Sequence, residues 1–282
     1  MKKLSILLLL AGLFQLPLVT AAPANIAVIS YGEKPLHLIR ATVLYTVGVG
    51  TRLQSGDILQ TGAAGIQIEG LAPATLALGP DTRILIATNS KATQINVLNG
   101  WLKLQPLAGK AHAGLAVNTG NLAFTVTDSA SVVHVGSHQT EIFVEDGSQS
   151  VTELDSHGKP GRSVTLSHED FAQRTSDTPL KTINRPDQAF IDALPRPFLD
   201  PLVPLGKKIP SAGAPKKERE VTYDDIAPWV VSPLNLSQQM LASRFASRLT
   251  DPTFRQAVKN NRGGVLEWEI ELLRLERRKN PH

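Results

Sequence analysis

The chain has 282 residues, with 29 Lys and Arg against 25 Asp and Glu, and no cysteine. The lack of cysteine excludes disulfides, thiol chemistry and a lipid-modified cysteine anchor together. The formal charge of +4 is unevenly spread: residues 22–206 carry 13 basic against 16 acidic side chains, and residues 207–282 carry 14 against 9. The basic balance therefore belongs to the tail, where acids are interspersed, and it does not mark the chain as a nucleic-acid binder.

The first residues, MKKLSILLLLAGLFQLPLVTAAPA, place two lysines before an apolar stretch over residues 4–16 and a small-residue exit at residues 21–24. This is the layout of a secretory signal peptide, with cleavage expected after Ala21 or after Ala24. The apolar stretch is shorter than the ~20 residues that a spanning helix needs, and nothing later is long and apolar enough. The expected product is a soluble periplasmic protein with no transmembrane segment after cleavage.

Residues 26–178 read as an all-β domain, because short runs of Val, Ile, Leu and Thr recur between glycine-bearing turns. Residues 66–68, 75–78, 84–86, 94–97 and 141–144 are too short for helices, and several alternate apolar with polar. Asn99-Gly100 and Asp146-Gly147 suit tight hairpin turns. Strands this short need neighbours to bury an apolar face, and a roll, a sandwich or a β-solenoid would each supply them.

Within this domain GTRLQSGDILQTG, residues 50–62, spends three glycines in thirteen positions. A phosphate-cradling loop needs a lysine and a Ser or Thr after its last glycine, then a helix. Here Gly56 is followed by Asp57 and Ile58, and the carboxylate would repel phosphate. Gly50, Gly56 and Gly62 then serve changes of direction, with Asp57 bonding local backbone at a turn.

Eight prolines fall in the 37 residues from 179 to 215, so this stretch reads as an extended connector hugging the β domain, with one short helix over residues 187–194. Residues 207–220, KKIPSAGAPKKERE, read as a flexible linker. Their Lys207, Lys208, Lys216, Lys217 and Arg219 are candidates for anionic headgroups or an acidic partner. From residue 221 the chain reads as helical. Leu236, Met240, Leu241, Phe245 and Leu249 form one apolar stripe, Asp251-Pro252 starts a second helix, and residues 265–278 make a third with acids early and bases late. Trp229, Trp268 and Phe245 are candidates for a protein interface, and a small helical core would use them equally well.

Catalytic and metal-binding constellations are sparse. His134 and His138 stand four apart near Glu141, but no third histidine, CxxC or HExxH accompanies them, so turn or surface histidines are the favoured reading and no cofactor is expected. Asp57, Asp81, Asp128, Asp146 and Asp155 could in principle supply the two carboxylates of a glycosidase, yet each lies at or beside an expected turn. No Gly-x-Ser-x-Gly elbow is present.

The succession Gly50, Leu53, Gly56-Asp57, Thr61-Gly62 resembles the opening signature of the FecR family periplasmic domain. Residues 75–84, Asn99-Gly100-Trp101-Leu102, Val117-Asn118-Thr119 and residues 140–148 resemble later pieces of that domain in the same order. Together they cover roughly residues 26–172. The family's Gly-Thr-x-Phe element has no counterpart at residues 128–131, and a signal peptide stands where FecR regulators carry a sigma-factor-binding region and a transmembrane helix. The Pro-rich, helical tail also differs from the α/β subdomain of those regulators. The resemblance implies a free periplasmic FecR-type module, non-enzymatic, binding an envelope protein or glycan in a regulatory or scaffolding role. The alternative is a polysaccharide-acting enzyme on a β-solenoid, and a third reading is a regulator acting in trans on a separate sensor.

Overall fold

The structure, a computed structural model, describes residues 24–279 apart from 90–91, 108, 110–113, 176–177, 235, 237 and 262–265. The expected signal peptide and most of the expected break between the last two helices lie outside the described residues. Among the described residues eighteen strands follow one another: β1 (Asn25–Gly32), β2 (Leu36–Arg40), β3 (Val43–Val47), β4 (Arg52–Gln54), β5 (Ile58–Gln60), β6 (Ile66–Glu69), β7 (Ala74–Leu78), β8 (Arg83–Thr88), β9 (Ala92–Pro106), β10 (Gly114–Asn118), β11 (Leu122–Thr125), β12 (Ala130–Val135), β13 (Gln139–Asp146), β14 (Gln149–Leu154), β15 (Pro160–Leu166), β16 (Phe171–Thr175), β17 (Lys181–Ile183) and β18 (Lys216–Glu220). The helices are α1 (Gln188–Ala193), α2 (Tyr223–Val230), α3 (Gln238–Phe245), α4 (Pro252–Asn261) and α5 (Leu266–Lys279).

Hydrogen bonding folds the strands into two curled layers. One runs β4-β1-β6-β7-β9-β12-β13-β16-β17, and the other runs β18-β3-β2-β5-β8-β9-β10-β11-β14-β15. Strand β9 belongs to both. Residues 93–99 pair with β8 in one layer, and residues 100–104 pair with β12 in the other. The crossing falls on Gly100, whose φ of +99° is a conformation that side chains resist. A Cβ there would lie 2.4 Å from Thr82 Oγ1, so the Asn99-Gly100 pair bends a continuous strand between layers and does not close a hairpin as the dipeptide suggests. Apart from the parallel β9/β10 pair the ladders among the described residues are antiparallel. That excludes the stacked parallel coils of a β-solenoid and confirms an all-β domain followed by a small helical region.

Strand periodicity explains why the domain carries its own covers. Leu38, Leu59, Ile84 and Ile86 of one layer meet Leu76, Leu102, Val133 and Ile142 of the other in a shared core. The intervening residues are also apolar. Ile39, Leu44, Ile58 and Leu85 point to the outer face of their layer and pack against Val221, Ile226, Trp229 and Phe245 of the helical region. On the opposite outer face Ala77, Trp101, Val132 and Phe171 are covered by Phe190 and Phe198 of the connector. A sheet with both faces apolar must be sandwiched, since each fully buried large side chain is worth about 1.5–3 kcal/mol relative to exposure.

The connector is bound at several points. Asp187 caps α1 by accepting from the Phe190 N–H at 2.8 Å, as the expected short helix requires. Lys103, buried in the sheet, donates its Nζ to the Phe198 carbonyl at 2.6 Å and to Glu145 at 2.8 Å. Residues 216–220 differ from the flexible linker expected of them. They form β18, an antiparallel edge strand on β3 with Lys217 opposite Tyr45 and Glu220 opposite Val43. A charged composition is compatible with an edge strand because one side of it faces water, and it protects that edge from further pairing.

Helix α2 lies within the stretch read as helical from residue 221, although the sequence pattern marks no individual helix there. Its Thr222–Asp225 capping box starts it, and Pro228 inside it hides the pattern. The stripe assigned to one helix over residues 236–249 divides into α3 and a 3-10 turn at Ala246–Thr250. Asp251 starts α4 as expected, accepting from the Thr253 and Phe254 N–H groups. Arg244 fixes the helical region to the β domain by donating to the carbonyls of Ala41 and Ile39 at 3.2 and 3.3 Å. Burial lowers its pKa to about 10, against the attraction of Asp57.

Candidate functional site

A cavity of about 700 Å³ opens where the connector passes over β1, β4 and the end of β6. Its floor includes Asn25, Val28 and Thr51, its basic groups are Arg40, Arg52 and Lys207, and its roof is the segment 209–213. The first glycine of the Gly50–Gly62 signature makes this geometry possible. Gly50 has φ +84°, and a Cβ on it would lie 2.3 Å from the Pro210 carbonyl oxygen and 2.4 Å from the Ala212 nitrogen. A side chain here would push the connector off the domain.

Glu69 ties down the same segment from the other side. Its carboxylate accepts the Leu205 N–H at 2.8 Å, the Gly206 N–H at 3.0 Å and the Gln67 side-chain amide at 3.2 Å. Burial alone would raise its pKa, but the two backbone donors, with Ser30 and Gln67, outweigh burial and hold it below the ordinary carboxylate value. Gln67 also donates to the Val203 carbonyl at 3.0 Å. The acid in the cleft wall is thus occupied by backbone donors, whereas Arg52 and Lys207 make no ion pair among the described residues. The cleft is net basic, with mixed polar and apolar walls.

The rest of the signature is structural. Asp57 is 1% exposed; it accepts Arg40 Nε at 2.8 Å and Nη2 at 2.6 Å and caps the turn through the Gln54 N–H at 2.8 Å. The hydrogen bond to Asp57 raises the Arg40 pKa further, and Arg40 also reaches the Arg52 carbonyl at 2.9 Å. Leu53 is core. Gly56, with φ +89°, turns the chain between β4 and β5. Thr61 donates to the Gly79 carbonyl at 2.7 Å and accepts from the Thr82 N–H at 2.8 Å. The Gly62 carbonyl accepts from the Asp81 N–H at 2.8 Å. Asn99 donates to the Asp81 carbonyl at 2.6 Å, and Asp146-Gly147 turns β13 into β14 with Gly147 at φ +77°.

Of the basic candidates, Lys207 alone lines the cleft. Lys208 is exposed in a 3-10 turn. Lys216, Lys217 and Arg219 lie on β18, where Lys217 pairs with Glu220 at 2.9 Å and Arg219 forks onto Asp225. Trp229 and Trp268 correct the interface reading: each is 1% exposed within the helical core, together with buried Phe245. Their rings complete the apolar cover on the outer sheet face and cannot meet a partner.

His134 and Glu141 do come together, with Nδ1 2.7 Å from Glu141 Oε2, and the imidazole stacks on Trp101 at 4.0 Å. His138 is exposed in the turn between β12 and β13. Among the described residues no group of three His, Cys, Asp or Glu is placed to hold a metal. Asp155 accepts the Lys159 and His157 N–H groups of its own turn, which lower its pKa, and Asp81 occupies a left-handed turn at φ +48°. Among the described residues each carboxylate whose pKa is displaced, Glu69, Asp155, Glu220, Asp225 and Asp251, is displaced downward, the direction opposite to that of a general acid. Arg40, Arg52 and Glu69 escaped the sequence reading. Arg52 lies inside the quoted signature, but a single arginine or glutamate in a strand carries no sign of a cleft.

No family model matches the chain, and no curated protein matches it. Solved structures similar to it include two crystal structures of "a putative anti-sigma factor" from Parabacteroides distasonis ATCC 8503. One aligns with a TM-score of 0.38 at 12% identity over 45% of this chain and 59% of that one; the other aligns with 0.39 at 13% over 48% and 64%. The chain therefore spans less than two thirds of either. No described helix is long and apolar enough to cross a membrane.

Proposed function

We propose that this is a non-enzymatic, periplasmic binding protein of FecR type whose basic cleft holds an anionic glycan of the cell envelope. The observation that carries the reading is the pair Arg52 and Lys207 lining a cavity of about 700 Å³, with the acid beside them, Glu69, already engaged by backbone N–H groups. Cations in a concave site favour carboxylate or phosphate groups, and the polar and apolar walls suit a sugar ring. The engagement of Asp57 by Arg40 and of Asp155 by its own turn supports binding over hydrolysis. The signal-peptide layout of the N-terminus supports the periplasm.

The test is calorimetric titration of the purified protein with a soluble peptidoglycan digest, whose stem peptides carry carboxylates, and with neutral dextran as control. The expected result is binding of the digest that weakens as salt rises, and weakens at least tenfold in the Arg52→Ala/Lys207→Ala variant, with dextran inert. Turnover of the digest, or equal affinity of the variant, would overturn the proposal.

A further inference from the structure

Helix α5 is apolar on two opposite faces. Trp268 and Leu272 are buried in the helical core and Leu275 packs against it, while Leu266, Ile270 and Leu273 are 63%, 38% and 55% exposed. At 3.6 residues per turn, positions 266, 270 and 273 form one stripe, continued by residue 277 and lying opposite the buried face. An isolated exposed leucine is ordinary, but an aligned apolar stripe along one helix face is the pattern of a helix seam.

The charges beside this stripe are biased by end. Glu267, Glu269 and Glu271 lie in the first half, and Arg274, Arg277 and Arg278 in the second, where Glu276 is the one acid and the balance stays basic. Arg274 pairs with Glu271 in its own helix, while Glu267, Glu269, Arg277 and Arg278 make no ion pair among the described residues. A helix that is acidic at one end and basic at the other is complementary to itself in the antiparallel orientation, and repels itself in the parallel one.

We infer that α5 is a self-association surface on which a second copy of this chain docks its own α5 antiparallel, about a two-fold axis between Ile270 and Leu273. In that register Ile270 meets the partner's Leu273, Leu266 lies along the aliphatic stem of the partner's Arg277, and Glu267 lies between the partner's Arg274 and Arg278, while on the other flank Glu269 comes beside the partner's Glu276 and weakens the seam. An anionic membrane surface suits the stripe less well, since the first turns would bring Glu267 and Glu269 against negative headgroups. A seam of one 14-residue helix is small compared with the roughly 1,200 Å² or more of a stable interface, so the dimer is a weak one that dissociates on dilution. This surface is separate from the basic cleft, and it stands or falls independently of what the cleft binds.

The test is sedimentation equilibrium of the purified protein from about 5 µM to about 500 µM, a range chosen to bracket a weak interface. The expected result is a reversible monomer–dimer equilibrium, at least tenfold weaker in Ile270→Glu/Leu273→Glu. That variant leaves the buried face intact, and its circular dichroism and melting temperature would be checked against those of the parent. Two further variants keep the inference falsifiable. Glu267→Lys/Glu269→Lys makes the helix net basic at both ends, and Arg274→Glu/Arg277→Glu/Arg278→Glu makes it net acidic at both. Each alone should be monomeric, and an equimolar mixture should form heterodimers. A parent chain that stays monomeric throughout, a dimer indifferent to Ile270→Glu/Leu273→Glu, or a mixture that fails to associate would overturn it.

Discussion

Replacing Glu69 with alanine should free the roof of the cleft without unfolding the domain. The carboxylate holds the Leu205 and Gly206 N–H groups at 2.8 and 3.0 Å. A hydrogen bond to a charged acceptor is worth about 1.5–3 kcal/mol. Leu205 is half-buried and Gly206 exposed, so water recovers part of each, leaving about 1 kcal/mol apiece and about 2 kcal/mol for the segment. Because 1.4 kcal/mol is tenfold in an equilibrium constant, the connector should open roughly 30-fold more often in Glu69→Ala, with Glu69→Gln between the two. Amide hydrogen exchange resolves this at Leu205 and Gly206, with the core strand β9 as internal control. The effect depends on pH with a definite sign. The folded-state pKa lies below the ordinary value of 4.5, so the contribution is complete above that value and is lost as pH falls through the depressed one. The ratio of variant to parent exchange should therefore shrink in acid. Equal exchange at Leu205 and Gly206 at neutral pH would show that the carboxylate does not hold the connector, and the reasoning would fail.

Three other substitutions probe the signature and the strand crossing. Asp57→Asn strips the charge from a buried partner of Arg40; breaking such a pair costs about 3–5 kcal/mol, and since Arg40 is partly solvated a loss of about 3 kcal/mol is expected in urea denaturation. A loss below about 1 kcal/mol would mean that the turn, not the ion pair, holds this region. Gly100→Ala and Gly56→Ala separate strain from collision: both sites have positive φ, but a Cβ at Gly56 meets nothing within 4 Å whereas at Gly100 it meets Thr82 Oγ1 at 2.4 Å. Gly56→Ala should cost about 1–2 kcal/mol and Gly100→Ala clearly more. Equal melting temperatures would refute a packing role for Gly100.

Much of the fold was legible because it rests on local rules. Short alternating runs between glycines define strands, Asp251 caps a helix as expected, and the short helix expected over residues 187–194 forms with Asp187 as its cap. The charged run over residues 216–220 misled, because its strand exists only through pairing with β3, more than 160 residues away. Trp229 and Trp268 were equally open to an interface or a core, since burial depends on the facing surface, here the outer side of the strands bearing Ile39, Ile58 and Leu85. The cleft was the least visible feature. Arg52 comes from β4, Glu69 from β6 and Lys207 from the connector, and no sequence spacing links them.

The sequence by itself determined the all-β character of the first two thirds, the helical end and turns such as Asp146-Gly147, because backbone sterics and period-two burial act within a few residues. It also determined the separation of charge between domain and tail. Tertiary structure alone decided that both outer faces of the sandwich are covered, one by the helices and one by the proline connector. It also decided that Gly50 and Glu69 hold that connector over a basic cleft. The physical reason is that burial, close backbone approach and charge convergence are properties of surfaces in contact, and those surfaces meet only when distant segments fold together.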